Sequence, residues 1–362
     1  MLPFRGSITA PMDIMVRRRL LFCTLLLLGT ATWGPARWAQ KPLYFGPHSD
    51  IYPRWLGSRE LFLHGIDPYS ERVTQEIQVT YYGHALAPGE DRDEQRFAYP
   101  IYVSFLLLPT ILLPFTAVQV VFVILLGLAV MASVILWLRA IQWELSKRWL
   151  MLILILALCN PAAFRGLKLQ QLGLLVAALL AGATFSAMNG RLALAGMLLG
   201  FATIKPQTMA LPLIWFLIWC MGDWSKRKSL AITFFATTMS LCLAGELLVH
   251  GWMVEFIKGM IAYRRYAGYT GLEVLFGRSF LAALGTALII LWIGLRMWRN
   301  RGCAADSPQF MLQLSSILAI SLFIVPGLFD LYNLVLLVPG VFILLRPRSE
   351  SMIPGTIAIA RT

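Results

Sequence analysis

The sequence predicts an all-α polytopic membrane protein, and three observations carry that prediction. Of 362 residues, 58% are hydrophobic and only 14% charged, against about 25% charged in a soluble domain. Apolar runs approaching the roughly 17 to 25 residues of a spanning helix recur almost to the C-terminus. The Lys and Arg residues gather in short clusters between those runs, as in "MVRRRLL", "DWSKRKS", "RMWRNRG" and "RPRS".

Apolar segments fall at about 19–36, 99–115, 117–138, 149–160, 168–187, 191–204, 206–222, 229–250, 279–298, 309–326 and 331–346. They predict one integral membrane domain over 1–362, a bundle of about 10–11 transmembrane segments. Basic clusters favour the cytoplasmic face. Arg17 to Arg19 therefore place the N-terminus inside, and Arg346 and Arg348 place the C-terminus there too. Lys147 and Arg148, Lys226 to Lys228, and Arg296 to Arg301 agree. Termini on one side need an even number of crossings, so one segment is expected to dip without crossing. The segment 99–115, broken by Pro100, Pro109 and Pro114, is that candidate, because irregular backbone survives at membrane depth where protein or a water-filled cavity covers it.

The same orientation puts the loop 37–98 outside, and it holds nine of the 18 acidic residues and three of the four histidines. Within it, "IYPRWLGSRELFLHG" and "ERVTQEIQVTYYG" mix apolar and charged residues at helical spacing. They predict two short amphipathic helices at the interface, with Trp55, Phe62, Tyr81 and Tyr82 facing lipid or the bundle. A second extracytoplasmic loop spans 251–278.

Several function classes fall away. The net charge of +13 reads as cytoplasmic loops rather than as a nucleic-acid surface. The five cysteines are scattered without a CxxC pair, and the four histidines form no HExxH, so neither a disulfide frame nor a metal site is expected. No cofactor motif is present. The basic N-terminus with its apolar core resembles a signal peptide, but the many later spans make an uncleaved first helix the expectation.

A few polar residues stand out. Asp50, in "GPHSDIYPRWL", follows the first apolar segment; it reads either as a cap of the next helix or as a carboxylate held at the mouth of the bundle. Lys205, in "GFATIKPQTMALP", lies between two apolar stretches. An ionisable group there costs about 2.5–3.5 kcal/mol on insertion, which points to function, unless the ammonium snorkels to the headgroups. Asn160, Arg165, Lys168, Gln170 and Gln171 form a polar break. Asp330, with Tyr332 and Asn333, opens the last segment as a possible cap. Arg264 and Arg265 could clamp an anion or simply be solvated, and Glu246 reads as a near-interface acid. One carboxylate, several cations and many aromatics on one face suit a particular chemistry. A glycosidase normally needs two carboxylates. A phosphate leaving group departs as a stable anion and wants cations, while one carboxylate takes the proton of an attacking hydroxyl.

At these residues the chain resembles the integral-membrane glycosyltransferases of the GT-C superfamily. It is most similar to glycosyltransferase family 87, which includes polyprenyl-phosphate-mannose-dependent α-mannosyltransferases. The resemblance runs from Asp50 to Pro339. It rests on "D-x-Y" at 50–52, "G-x-D-P-Y" at 65–69, "F-x-Y-P" at 97–100, "N-P" at 160–161 and "Q-x-G-L-L" at 171–175. To these add "A-G-x-x-L-G-x-A-x-x-K-P-Q" at 195–207 and "D-L-Y-N-L-V-L-L-V-P" at 330–339. It implies a GT-C-type bundle, Asp50 as catalytic base and Lys205 at the donor phosphate. Gln171, Tyr52, Arg54, Tyr99, Asp330, Arg264 and Arg265 complete the expected substrate-binding set. The chain departs from the family pattern in having Gln170-Gln171 for Gly-Gln, Ile101 for a frequent second Pro, and Gly173 for a frequent polar residue.

The resemblance implies an inverting hexosyltransferase, transferring mannose first of all, at the outer face of a bacterial plasma membrane. Its partners would be a polyprenyl-phosphate-linked sugar donor, a lipid or glycan acceptor and membrane lipids, with no nucleic acid. The alternatives are a transporter or lipid flippase, which predicts an internal repeat that the sequence lacks, and a non-catalytic envelope scaffold. Orientation is directly testable. Cysteines introduced near Glu90 should react with an impermeant maleimide in intact cells and those near Lys226 should not; the reverse labelling would overturn the outer-face site.

Overall fold

The computed structural model describes residues 48–346 except 88, 91 and 267–268, with the backbone alone for 265 and 266. The expected first crossing at 19–36, Arg17 to Arg19 and Arg348 lie outside the described residues. Among the described residues every regular element is helical, in keeping with an all-α polytopic membrane protein.

The segment that follows residue 48 forms α1 (Tyr52–His64) and α2 (Glu71–Tyr82). Pro53 sits in the first turn of α1, where its missing N–H costs no bond. Gly65 closes the helix in the left-handed region at φ 68°. Ser70 caps α2 by accepting from the Val73 N–H. As its spacing predicts, α2 buries Val73, Thr74, Ile77 and Gln78 and exposes Glu71, Arg72 and Gln75.

Helix α1 departs from the expectation of an interfacial helix. Tyr52, Trp55, Leu56, Gly57, Ser58 and Glu60 are all buried, which leaves it wedged among other elements. Gly57 and Ser58 are small enough for close contact: a Cβ at Gly57 would lie 2.6 Å from the Phe97 ring. The Ser58 hydroxyl donates to Ser104 at 2.8 Å, and the Trp55 indole donates to the Thr110 carbonyl at 3.2 Å. Tyr81 and Tyr82 are likewise turned inward, their hydroxyls donating to the carbonyls of Ser49 (2.6 Å) and Asp93 (2.7 Å).

The segment expected to dip consists of α3 (Val103–Leu107) and a 3₁₀ turn, Leu108–Thr110. Together they span roughly 14 Å, against a hydrocarbon core of about 30 Å. The bundle continues with α4 (Phe115–Ala140), α5 (Lys147–Cys159), α6 (Pro161–Lys168), α7 (Gly173–Met188), α8 (Leu192–Ala202), α9 (Pro206–Gly222) and α10 (Trp224–Leu248). It ends with α11 (Trp252–Tyr266), α12 (Gly271–Phe276), α13 (Phe280–Asn300), α14 (Pro308–Ile324), a 3₁₀ stretch Leu331–Leu337 and α15 (Val338–Leu345). Three of these, α4, α10 and α13, are long and apolar enough to cross a membrane. Their outer faces expose apolar residues at three- and four-residue spacing, such as Val120, Ile124 and Leu128, or Ile232, Phe235, Met239 and Leu243. That is a surface for lipid rather than water. Helices α5 and α6 pass the same test together, bent by 55° at Asn160, whose side chain accepts from the Ala163 N–H at 3.0 Å.

Two expected segments begin differently. The run 168–187 starts its helix only at Gly173, because Gln170 takes a left-handed φ of 49° that breaks the helical path. The last segment opens as a 3₁₀ stretch. Pro339 would clash with the carbonyl four residues back, so an unbroken α-helix from Asp330 is not available.

Small residues bring the middle helices together. A Cβ on Gly196 would fall 2.2 Å from both the Leu230 carbonyl and the Thr233 hydroxyl, so α8 lies almost backbone to backbone on α10. One turn before Leu230, Arg227 of α10 is buried and stacks 4.0 Å over Trp219. It donates to the carbonyls of Trp219 and Arg301 (both 2.7 Å) and Cys303 (2.8 Å), tying the C-terminal ends of α9 and α13 together.

Overpacking ordinarily costs about 1–3 kcal/mol; at Gly196 the clash is with backbone, so Gly196→Leu should exceed that and abolish monodisperse protein in detergent. Gly294, beside which a Cβ would meet nothing, is the control: Gly294→Ala should leave yield and thermal midpoint unchanged.

Candidate functional site

Four interruptions in the helical structure converge: the turn before α1, the 169–172 turn between α6 and α7, the 203–205 step between α8 and α9, and the approach to the 3₁₀ stretch at 331. Each frees backbone groups that must be satisfied, and each displays polar side chains.

The turn before α1 carries Asp50. The peptide group in front of it is fixed on both sides: its N–H donates to the Leu169 carbonyl at 3.0 Å, and its carbonyl, that of Ser49, accepts from Tyr81. The Asp50 carbonyl accepts from Arg54 Nη1. Ile51 holds the N-cap position of α1, and no side chain bonds there, so Asp50 is not used as a cap. Among the described residues its half-buried carboxylate makes neither a hydrogen bond nor an ion pair. Burial raises its pKa above the ordinary carboxylate value; the charges of Arg54 and Lys205 pull it back, and those of Asp330 and Asp93 push it up.

Lys205 is 3% exposed, which excludes snorkelling to the headgroup layer. Its ammonium donates to Gln171 Oε1 at 3.0 Å and lies 4.8 Å from the centre of the Tyr332 ring. Gly173 makes the room: a Cβ there would sit 3.1 Å from Lys205 Nζ. The step that presents Lys205 is held by Tyr102, whose hydroxyl lies 3.0 Å from both the carbonyl and the hydroxyl of Thr203.

Of the residues expected at the site, Asp50, Arg54, Lys205 and Asp330 act on one another electrostatically, with Gln171 bonded to Lys205. Tyr99 lies beneath the Arg54 guanidinium, 4.3 Å from it. Asp330 makes no side-chain cap and instead pairs with Arg165 at 3.3 Å. Tyr52 is engaged elsewhere, donating to Thr80 at 3.0 Å. Arg264 pairs with Glu273 at 2.9 Å, and the Arg265 side chain lies outside the described residues. The sequence does not announce Tyr81, Asp93 and Tyr263 as neighbours of Asp50; the charge of Asp50 reaches Tyr81, Tyr99, Tyr263 and Tyr332. Among the described residues no three His, Cys, Asp or Glu side chains gather as metal ligands.

Beside this cluster runs an apolar cleft of about 560 Å³. Leu174, Asn160 and Leu331 line it next to the polar residues, and Trp143, Phe342 and Leu345 line it further off.

Residues 97–326 match the model of glycosyltransferase family 87, well over half of the chain. The chain belongs to glycosyltransferase family 87. No curated protein and no solved structure matches it. This family 87 enzyme is therefore a membrane-embedded glycosyltransferase, with a sugar donor and an acceptor. The match encloses Tyr99, Gln171 and Lys205, while Asp50 and Asp330 lie beyond its ends. Gln170, beside Gln171, takes a left-handed φ of 49°, a conformation that glycine adopts freely and other residues only with strain.

Proposed function

We propose that this glycosyltransferase moves a hexose, mannose in the first instance, from a polyprenyl-phosphate-linked donor to a lipid or glycan acceptor at the outer face of a bacterial plasma membrane. Both termini then lie in the cytoplasm and 37–98 outside, as the basic clusters indicate. The observation that carries the reading is the Asp50 carboxylate, unpaired among the described residues and anchored through its backbone within electrostatic reach of the buried Lys205.

The chemistry follows from those two groups. Asp50 takes the proton of the acceptor hydroxyl as its oxygen bonds to the anomeric carbon. The bond from that carbon to the phosphate oxygen breaks, and the electron pair leaves with the lipid phosphate. Lys205 stabilises that departing charge, so no acid is needed to protonate it. Attack opposite to the leaving group inverts the anomeric centre. The apolar cleft accommodates part of the isoprenoid tail, a reading supported by Leu174 and Leu331 in its lining, since their chain neighbours Gly173 and Tyr332 lie against Lys205.

A positioned base contributes about 10²–10⁴-fold. Asp50→Asn keeps shape but loses the base, so transfer from synthetic polyprenyl-phosphate mannose should drop by about that factor while donor binding persists; wild-type transfer would make the mechanism wrong. Lys205→Ala removes one preorganised contact to the leaving group, a loss of about 10²–10³ in rate at comparable sites. Single-turnover measurements on detergent-purified protein should show that loss, and an unchanged rate would assign Lys205 to packing.

A further inference from the structure

Asp50 is held by its backbone, which moves the question of its aim to whatever holds that backbone. The Leu169 carbonyl that accepts from the Asp50 N–H belongs to the turn whose next residue is Gln170. Gln170 is 3% exposed and has a φ of 49°, a conformation that a side chain disfavours and glycine adopts freely. The strain is kept, and the side chain is fully employed. Its amide nitrogen donates to the carbonyls of Leu167 (2.9 Å) and Lys168 (2.8 Å) at the end of α6. Its amide oxygen accepts from the buried hydroxyl of Ser49. That hydroxyl also accepts from the Ile51 N–H at 3.3 Å, so one glutamine reaches across the chain and clasps the residues on either side of Asp50. The next residue, Gln171, holds Lys205.

We infer that Gln170 is a positioning residue for the proposed base: through Ser49 it fixes the direction in which Asp50 presents its carboxylate. The inference rests on Asp50 acting as base. A strained conformation retained at a buried side chain with three specific bonds is the signature of a constraint that serves geometry, and misplacement of a reacting group by about 1 Å can cost about 10²-fold.

The test uses the full-length protein in detergent, polyprenyl-phosphate mannose as donor and an envelope lipid extract as acceptor. Gln170→Gly removes the clasp and relaxes the backbone, so the thermal midpoint should hold or rise while kcat falls about 10–100-fold with donor KM unchanged. Ser49→Ala, which leaves the turn intact, should cause a similar kcat loss, and the double variant should fall no further than the worse single one. In an Asp50→Asn background Gln170→Gly should cost nothing more. A lowered midpoint with unchanged kcat for Gln170→Gly, or losses that multiply in the double variant, would overturn the clasp while an inactive Asp50→Asn leaves the base in place. Full activity of Asp50→Asn would instead overturn the base and the clasp with it.

Discussion

The bond from the Asp50 N–H to the Leu169 carbonyl, 3.0 Å long, is the tie on which the site's arrangement depends. It joins the segment before α1, where the carboxylate lies, to the interrupted helix pair α6–α7, where the lysine's partner lies. A helix end cannot leave carbonyls unsatisfied in an apolar setting. The Asp50 N–H supplies the donor for Leu169 and the Gln170 side chain those for Leu167 and Lys168, so the Asp50 segment becomes part of the bundle. The wedged position of α1 adds to this tie: with Trp55 and Ser58 bonded to the segment 103–110, the helix is gripped along its first two turns.

Charge placement follows from burial. Among the described residues Lys205 has no carboxylate in contact; it rests on a neutral amide oxygen and the face of Tyr332. Partners of that kind hold an ammonium without neutralising it, which leaves its field available to an incoming anion. Arg165 and Asp330, half-exposed and paired, form a weaker and more screened group at the same end.

Much of the helical framework is legible in the sequence, since apolar runs and basic clusters report directly on lipid and its edges. Ser70, Asn160 and the prolines at the heads of helices likewise announce their roles. The site was half legible. Lys205 stands out because charge is scarce nearby and Asp50 because it follows the first apolar segment, whereas Tyr81 looks like any interfacial aromatic: amphipathic spacing gives burial, not the identity of a partner. Gln170 carries no local signal, because a left-handed glutamine is set by tertiary bonds to Ser49 and α6. The engagement of Arg264 had a readable cue in Thr270 and Glu273, a capping box that places a carboxylate where the arginine ends.

Arg227 has a consequence for how the chain reaches its folded form. During insertion a basic residue acts as a charge alone, and Arg and Lys serve equally. In the folded bundle the same residue is read by shape: three carbonyls and an indole face match a planar fork with several donors and do not match a single ammonium. The cluster "DWSKRKS" thus divides its labour in time. Lys226 and Lys228 can serve throughout as markers of orientation, while Arg227 begins as one of them and ends as a clasp between two helix ends, so a change of Arg227 to lysine would keep the address and lose the lock.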